Sequence, residues 1–345
     1  MKNHNLFICL KIVMMMLCAI VGVGFISGAE IYHFFARFEK FAVISIIIFF
    51  ALMFFLSYKI IWKNYGVEND VKMNNLNKKL VKNTFLSKVK LKLFLTNFNL
   101  LLVSSAMFAG LFSLIKNLFN HNYYLVGICV CFIVFLILYF GISCLQKFDM
   151  LVICFVGFIF FHFIYVLIFN SSNFSLNNLM IDGKCLVKNL ALSAVFSCIY
   201  VFMNVVQIQP IVKEFAGKFN SKHKWLFPFL FSLSLTFLLL VFVMFMFNFF
   251  NLKNQEMPFL SYFKTQSRVM YFTYIVGLIF ALLSSLLSCL VGVKIWVGRL
   301  IKSNFFATGI SILLSMFISL IGFSNFVSIV YPIIGIINFI IFIFL

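Results

Sequence analysis

Charge is what this sequence lacks most. Only 10% of its 345 residues are Asp, Glu, Lys or Arg, and the acids number just 8. A soluble domain carries about 25% charged and about 45–50% apolar residues, whereas 64% of this chain is hydrophobic. So little polar surface cannot cover a water-facing core of this size. A soluble enzyme, a disordered chain and a secreted disulfide scaffold are thereby excluded.

Several motifs are also missing. None of the nine cysteines (Cys9, Cys18, Cys129, Cys131, Cys144, Cys154, Cys185, Cys198, Cys289) forms a Cys-x-x-Cys pair. Cys129 and Cys131, two apart, point away from each other on a helix, so the cysteines read as small hydrophobes. There is no His-Glu-x-x-His and no pair of Asp within an apolar run. An intramembrane enzyme needs activated nucleophiles, paired acids or metal ligands. Only the isolated Glu30, His33 and His162 are present for such chemistry, and no enzyme is expected. The absence of Gly-x-x-x-x-Gly-Lys-Ser/Thr removes ATP-driven pumping within this chain.

What is present is hydrocarbon. Phe alone contributes 52 residues, and the mean hydropathy is +1.13. A helix needs about 20 apolar residues to cross about 30 Å of bilayer. Ten such runs are readable, at roughly 7–35, 41–62, 93–117, 123–145, 149–169, 188–214, 226–250, 268–293, 305–323 and 326–345. One membrane domain over residues 1–345 is expected, with halves of about 7–169 and 188–345.

The net charge of +19 resembles that of a nucleic-acid binder, but the bases are dispersed between apolar runs. They follow the positive-inside rule instead. With the N-terminus inside, 19 of the 27 bases fall in cytoplasmic segments and 8 in outer ones. Both termini are then cytoplasmic, in a bacterial inner or plasma membrane, and no nucleic-acid partner is expected. The N-terminal run resembles a signal peptide ending at Ser27-Gly28-Ala29, but apolar residues resume after Glu30, which suits a span better than a cleavage site. Residues 63–92, rich in Lys and Asn, form the longest inner connection. Their later part could lie as a helix on the anionic leaflet; residues 170–187 form a polar outer one.

The first run is too long for the bilayer, at about 43 Å as continuous helix. In its middle lies Gly22-Val23-Gly24-Phe25-Ile26-Ser27-Gly28-Ala29-Glu30. Each Gly costs a helix about 1 kcal/mol relative to Ala. Broken backbone is tolerated in hydrocarbon only where it is buried in protein or lines a cavity, and an intramembrane acid is by default functional. The same small residues could instead serve close helix packing, since Gly24-x-x-x-Gly28 has the required spacing.

Gly-Val-Gly-Phe-Ile-Ser-Gly-Ala-Glu-Ile, followed by Phe34-Phe35, resembles the first span of the YkvI-like membrane proteins, a branch of the amino acid–polyamine–organocation superfamily. Met107-Phe108-Ala109-Gly110, Tyr200-x-x-x-Asn204 and Tyr331-Pro332-Ile333-Ile334-Gly335 fit the same resemblance. It implies a LeuT-type fold: an all-α membrane protein of ten helices, two five-helix repeats of opposite orientation, with helices 1 and 6 discontinuous. Five spans per half is independently what an inverted repeat requires. Span 6 has no glycine before Gly217, so its break would fall to Asn204, Gln207, Gln209 and Pro210.

The resemblance implies a cation-coupled secondary transporter of an amino acid or similar small organic solute, working by alternating access. Its substrate site would comprise Gly22, Gly24, Ser27, Gly28, Glu30, Phe108, Gly110, Tyr200 and Asn204. In sodium-coupled LeuT-fold transporters a segment like Ala281-Leu282-Leu283-Ser284-Ser285 faces carbonyls of span 1. Carried over, a sodium site would combine Ala281, Ser284 and Ser285 with Cys18 and Val21; oxygen ligands suit such a hard cation. Transmembrane serines also bond back to their own carbonyls. Proton coupling is the rival, with Glu30, His33 and His162 as carriers. No cofactor beyond a sodium ion is expected. The alternative function is a non-transporting sensor or scaffold that keeps the transporter fold. Partners are the lipid bilayer and the solute; the sequence does not specify an oligomeric state.

Overall fold

The computed structural model describes residues 12–73, 84–119, 123–140, 145–169, 186–214, 225–249, 255–301 and 303–344, and among them every regular element is helical. Helices are what a bilayer demands, because lipid offers no partner to backbone N–H and C=O groups. Seven helical stretches are long and apolar enough to cross: Ala36–Ile61, Phe94–Leu118, Val152–Phe169, Asn189–Gln209, Leu226–Asn248, Arg268–Gly298 and Phe323–Phe342. Val126–Tyr139 and Asn304–Ser319 are shorter apolar helices. The chain is an all-α, multi-pass membrane protein. Phe161, Ile168, Phe169, Phe317 and Leu320 face outward, as lipid-facing side chains do.

The first rod comes in pieces: α1 (12–20), α2 (Val23–Ile26) and α3 (Ala29–Phe34). A short 3-10 turn, Ala36–Phe41, leads into α4 (Ala42–Met73). Then follow α5 (Thr84–Phe119), α6 (Tyr123–Phe140), α7 (Leu145–Phe169), α8 (Leu186–Glu214) and α9 (Leu226–Asn248). A short helix α10 (Pro258–Lys264) precedes α11 (Arg268–Gly298), α12 (Asn304–Ser319), α13 (Phe323–Asn325), a π-helical turn at Phe326–Val330, and α14 (Tyr331–Phe344).

Two expectations are corrected here. Helix α8 is not discontinuous: it runs unbroken from Leu186 to Glu214 through Asn204, Gln207, Gln209 and Pro210. With no glycine in that helix there is no residue to relieve its backbone. Pro210 has no N–H to donate to the Val206 carbonyl, but the helix continues past it for four more residues to Glu214. The inner connection also differs. No proline falls between Ala42 and Phe119, so nothing stops α4 before Met73, and α5 already begins at Thr84. Most of the segment expected to lie on the leaflet is the start of α5, continuous with its span; residues 81–83 lie outside the described residues.

The helices pack in two groups. Helix α4 lies against α8 and α9, and α14 against α8; α5 lies against α11 and α12, with α6 against α5 and α12. Helix α7 touches α9 in the first group and α11 in the second. Polar groups join helices within each group, as they do where lipid removes the hydrophobic drive between spans. The Ser197 hydroxyl donates to the Ser45 carbonyl across 2.7 Å, and Ser104 and Ser315 share a hydrogen bond of 2.8 Å. Between the groups sits the interrupted rod: α2 touches α5 and α11, and α3 touches α8, α9 and the π-helical turn.

Candidate functional site

The first break falls at Val21-Gly22, where α1 ends; the Gly22 amide turns back to the Ile20 carbonyl at 2.7 Å. The second falls at Ser27-Gly28. Gly28 has φ +82°, a left-handed conformation that costs any residue with a Cβ about 1–2 kcal/mol. Glycine is therefore required there for its backbone, apart from any need for closeness.

Unwinding strips carbonyls of helical partners, and the fold supplies others. The Ile26 carbonyl accepts from the Tyr274 hydroxyl of α11 at 2.9 Å. The Ser27 carbonyl accepts from the Phe259 amide of α10 at 3.0 Å. The Ser27 hydroxyl donates to the Gly24 carbonyl at 3.3 Å and accepts from the Ala29 amide at 3.4 Å. The expected open backbone is thus closed over by α10 and α11.

The glycines are packed as tightly. A Cβ built on Gly22 would lie 2.8 Å from the Met107 methyl. On Gly28 it would lie 2.6 Å from the Met246 methyl and 3.1 Å from the Phe259 ring. On Gly24 it would overlap the Glu30 carboxylate itself. The carboxylate occupies the space that the missing side chain leaves.

Glu30 is 3% exposed. The Tyr200 hydroxyl of α8 donates to its Oε2 at 3.0 Å; among the described residues it has no basic partner. Tyr200 is itself clamped by the rings of Phe34, Phe35 and Phe49 at 4.9–5.7 Å. One turn on, the Asn204 amide donates to the Tyr200 carbonyl at 2.8 Å, and its Oδ1 is buried with no hydrogen-bond partner. The Tyr331 hydroxyl, at the end of the π-helical turn, is likewise buried and unpartnered, and that turn packs against α3, which carries Glu30. Pro332 offers no N–H to the carbonyl one turn back, which suits a widened turn there. A carboxyl, two tyrosine hydroxyls and a carboxamide therefore meet at the centre of an apolar bundle, with hydrogen-bonding capacity unused.

The other expected residues are divided. Ser285 points toward the first break, its Oγ 3.7 Å from a Cβ built on Gly22, while donating to the Ala281 carbonyl at 2.6 Å. Ser284 is buried beside it, and the side chains of Cys18 and Val21 line an apolar cleft of about 240 Å³ between α1, α7 and α9. Phe108 is buried and stacks on Phe112 at 6.3 Å; Gly110 is buried on the same helix, but it is Met107 that reaches the break. His33 is half-buried, edge-on to Tyr32 at 5.6 Å. His162 Nε2 pairs with the Tyr262 hydroxyl of α10 at 3.3 Å. Among the described contacts neither histidine meets Glu30.

Tyr274, Phe259 and Met246 were not anticipated. They reach the break from distant segments and carry no local signal. Tyr331 had one, its place before Pro332. No protein-family model matches the chain, and neither a characterised protein nor a solved structure matches it.

Proposed function

We propose that this chain is a cation-coupled secondary transporter of an amino acid or similar small organic solute, with Glu30 as the coupling carboxyl. The observation that carries the reading is the pairing of Glu30, buried and without a cationic partner among the described residues, with the unwound Gly22–Gly28 stretch. An uncompensated charge at this depth costs several kcal/mol. A bound proton or metal cation removes it, and its release restores it, so cation occupancy biases which conformation is stable. Two helix groups with the interrupted rod between them supply the element that such a bias would move, as in alternating access. On this reading the nine apolar helices and the interrupted rod make ten spans, both termini are cytoplasmic, and the YkvI-like resemblance reflects kinship.

For sodium, the ligands would be the neutral oxygens of Ala281, Ser284 and Ser285 with the carbonyls of Cys18 and Val21. The approach of Ser285 to Gly22 supports that set. Its hydroxyl proton is directed at Ala281, which leaves its oxygen lone pairs available to a cation. The closely packed break corresponds to an occluded state, with α10 covering one side. That same closure favours the second reading, a non-transporting sensor or scaffold.

Proteoliposomes decide between them. Uptake of labelled amino acids is expected to rise under an inward sodium gradient or an inward proton gradient, and Glu30→Gln should lower it by about tenfold or more, in keeping with loss of a charge-assisted contact. Ser285→Ala should raise the sodium concentration needed if sodium is the coupling ion and leave it unchanged if the proton is. Undiminished uptake in Glu30→Gln refutes the coupling role; absence of gradient-driven uptake for every amino acid favours the sensor.

A further inference from the structure

A second polar feature lies away from the break. A cavity of about 470 Å³ opens where the last turns of α5 and α12 meet the segment entering α10. Its walls are largely apolar, with Phe112, Ile128, Met316 and Phe323 among them. Its polar lining is Ser113, Lys116, Glu256 and Ser319. Ser113 and Lys116 are three residues apart on α5 and share a face. The Ser113 hydroxyl donates to Glu256 Oε2 at 2.8 Å, fixing that carboxylate on the cavity wall. Among the described residues Glu256 engages no basic group, so Glu256 and Lys116, both exposed, line one cavity as separate charged residues.

We propose that this cavity is a binding site for a zwitterionic amino acid with an apolar side chain. Glu256 takes the ligand's ammonium, Lys116 its carboxylate, and the Phe112–Met316–Phe323 wall its side chain. Ligand pockets combine an apolar lining with a few placed polar groups and span about 300 to about 1,000 Å³; this one fits a molecule of amino-acid size. A simple amine or a simple acid would pair with one charge and leave the other without a partner. An uncharged apolar molecule would desolvate both without compensation. Glu256 also lies two residues before Pro258, the start of α10, whose Phe259 amide holds the Ser27 carbonyl at the break. Occupancy of the cavity is therefore one short segment away from the element that covers the Glu30 site. The proposal rests on the transport reading and adds a second site to it; its test reads the component of binding that depends on Lys116 and Glu256, which leave the Glu30 site intact, so either can fail alone.

The test is equilibrium binding of labelled L-leucine, L-methionine and L-phenylalanine to the purified full-length protein, with isoamylamine and isocaproate as competitors lacking one charge each. Saturable binding is expected, with both competitors weaker than leucine by about tenfold or more. Lys116→Met and Glu256→Gln should each weaken leucine binding by about tenfold or more, whereas Lys116→Arg, which keeps the charge, should stay within about threefold. Retention by Lys116→Arg shows that α5 tolerates substitution there, so loss in Lys116→Met reads the charge. Failure of all three amino acids to bind, or unchanged affinity in both Lys116→Met and Glu256→Gln, overturns the proposal. If Glu30→Gln alone abolishes binding, the ligand sits at the break; that overturns the second site and leaves the transport reading standing.

Discussion

Glycine at position 24 and glutamate at position 30 are a matched pair. The carboxylate fills the volume beside the Gly24 Cα, so the smallest side chain at one residue makes room for a charged one at the other. Gly24→Ala should therefore displace Glu30 from Tyr200 and lower both melting temperature and uptake. Gly157 on α7, where a Cβ would meet nothing within 4 Å, is the control. Gly157→Ala should be neutral or stabilise by up to about 1 kcal/mol, the helix-propensity difference, and thermal denaturation of the two variants in the same detergent checks the contrast. Tyr200→Phe tests the other side of the pair. Loss of its hydrogen bond to a buried carboxyl should cost about 1.5–3 kcal/mol, read as a lowered melting temperature, with Tyr331→Phe costing less because that hydroxyl has no partner to lose.

At the scale of elements, the break is held by donors from elsewhere in the chain. Tyr274 on α11 and the Phe259 amide on α10 take the carbonyls of Ile26 and Ser27. Removing the first donor by Tyr274→Phe leaves a buried carbonyl unsatisfied, at a cost of about 1–3 kcal/mol. Hydrogen exchange should then quicken at the amides of α2 and α3 while those of α4 stay protected. The glycine cluster made this interruption legible in the sequence, and the structure breaks α1–α3 at Val21-Gly22 and again at Ser27-Gly28. The same reasoning did not carry over to α8. Asn204 and Pro210 are disruptive residues in the abstract, but Asn204 turns its amide onto the Tyr200 carbonyl, and the helix continues past Pro210 to Glu214 with the loss of that residue's one backbone bond. The irregularity nearest Glu30 on the second half of the chain is instead the π-helical turn before Tyr331-Pro332.

For the whole molecule, the distribution of the bases predicts the orientation, with both termini cytoplasmic. Lys294, near the end of α11, donates to the Leu138 carbonyl near the end of α6 at 2.7 Å, which brings those two helix ends together; with the three long helices α7, α8 and α9 between them, α6 and α11 run in the same sense if each of these helices spans the bilayer. A fluorescent protein fused at the C-terminus, which matures only in the cytoplasm, should be bright. A dark fusion would mean an odd number of spans and would move the last loops across the membrane without altering the early ones.

Membrane embedding and helical class were decided by composition, because too few polar groups exist to face water, and the place of the first break by the order of residues, because too many glycines sit within one span to keep it wound. The tertiary structure decided what the break is made of. Hydrogen-bond partners for Ile26 and Ser27, the clamp on Tyr200 and the unpartnered Tyr331 hydroxyl come from segments far apart in the chain, and no local pattern encodes which donor a freed carbonyl will find. The meeting of Ser113 and Lys116 with Glu256 is of the same kind: two charges distant in sequence, brought to one cavity only when α5, α12 and the approach to α10 pack together.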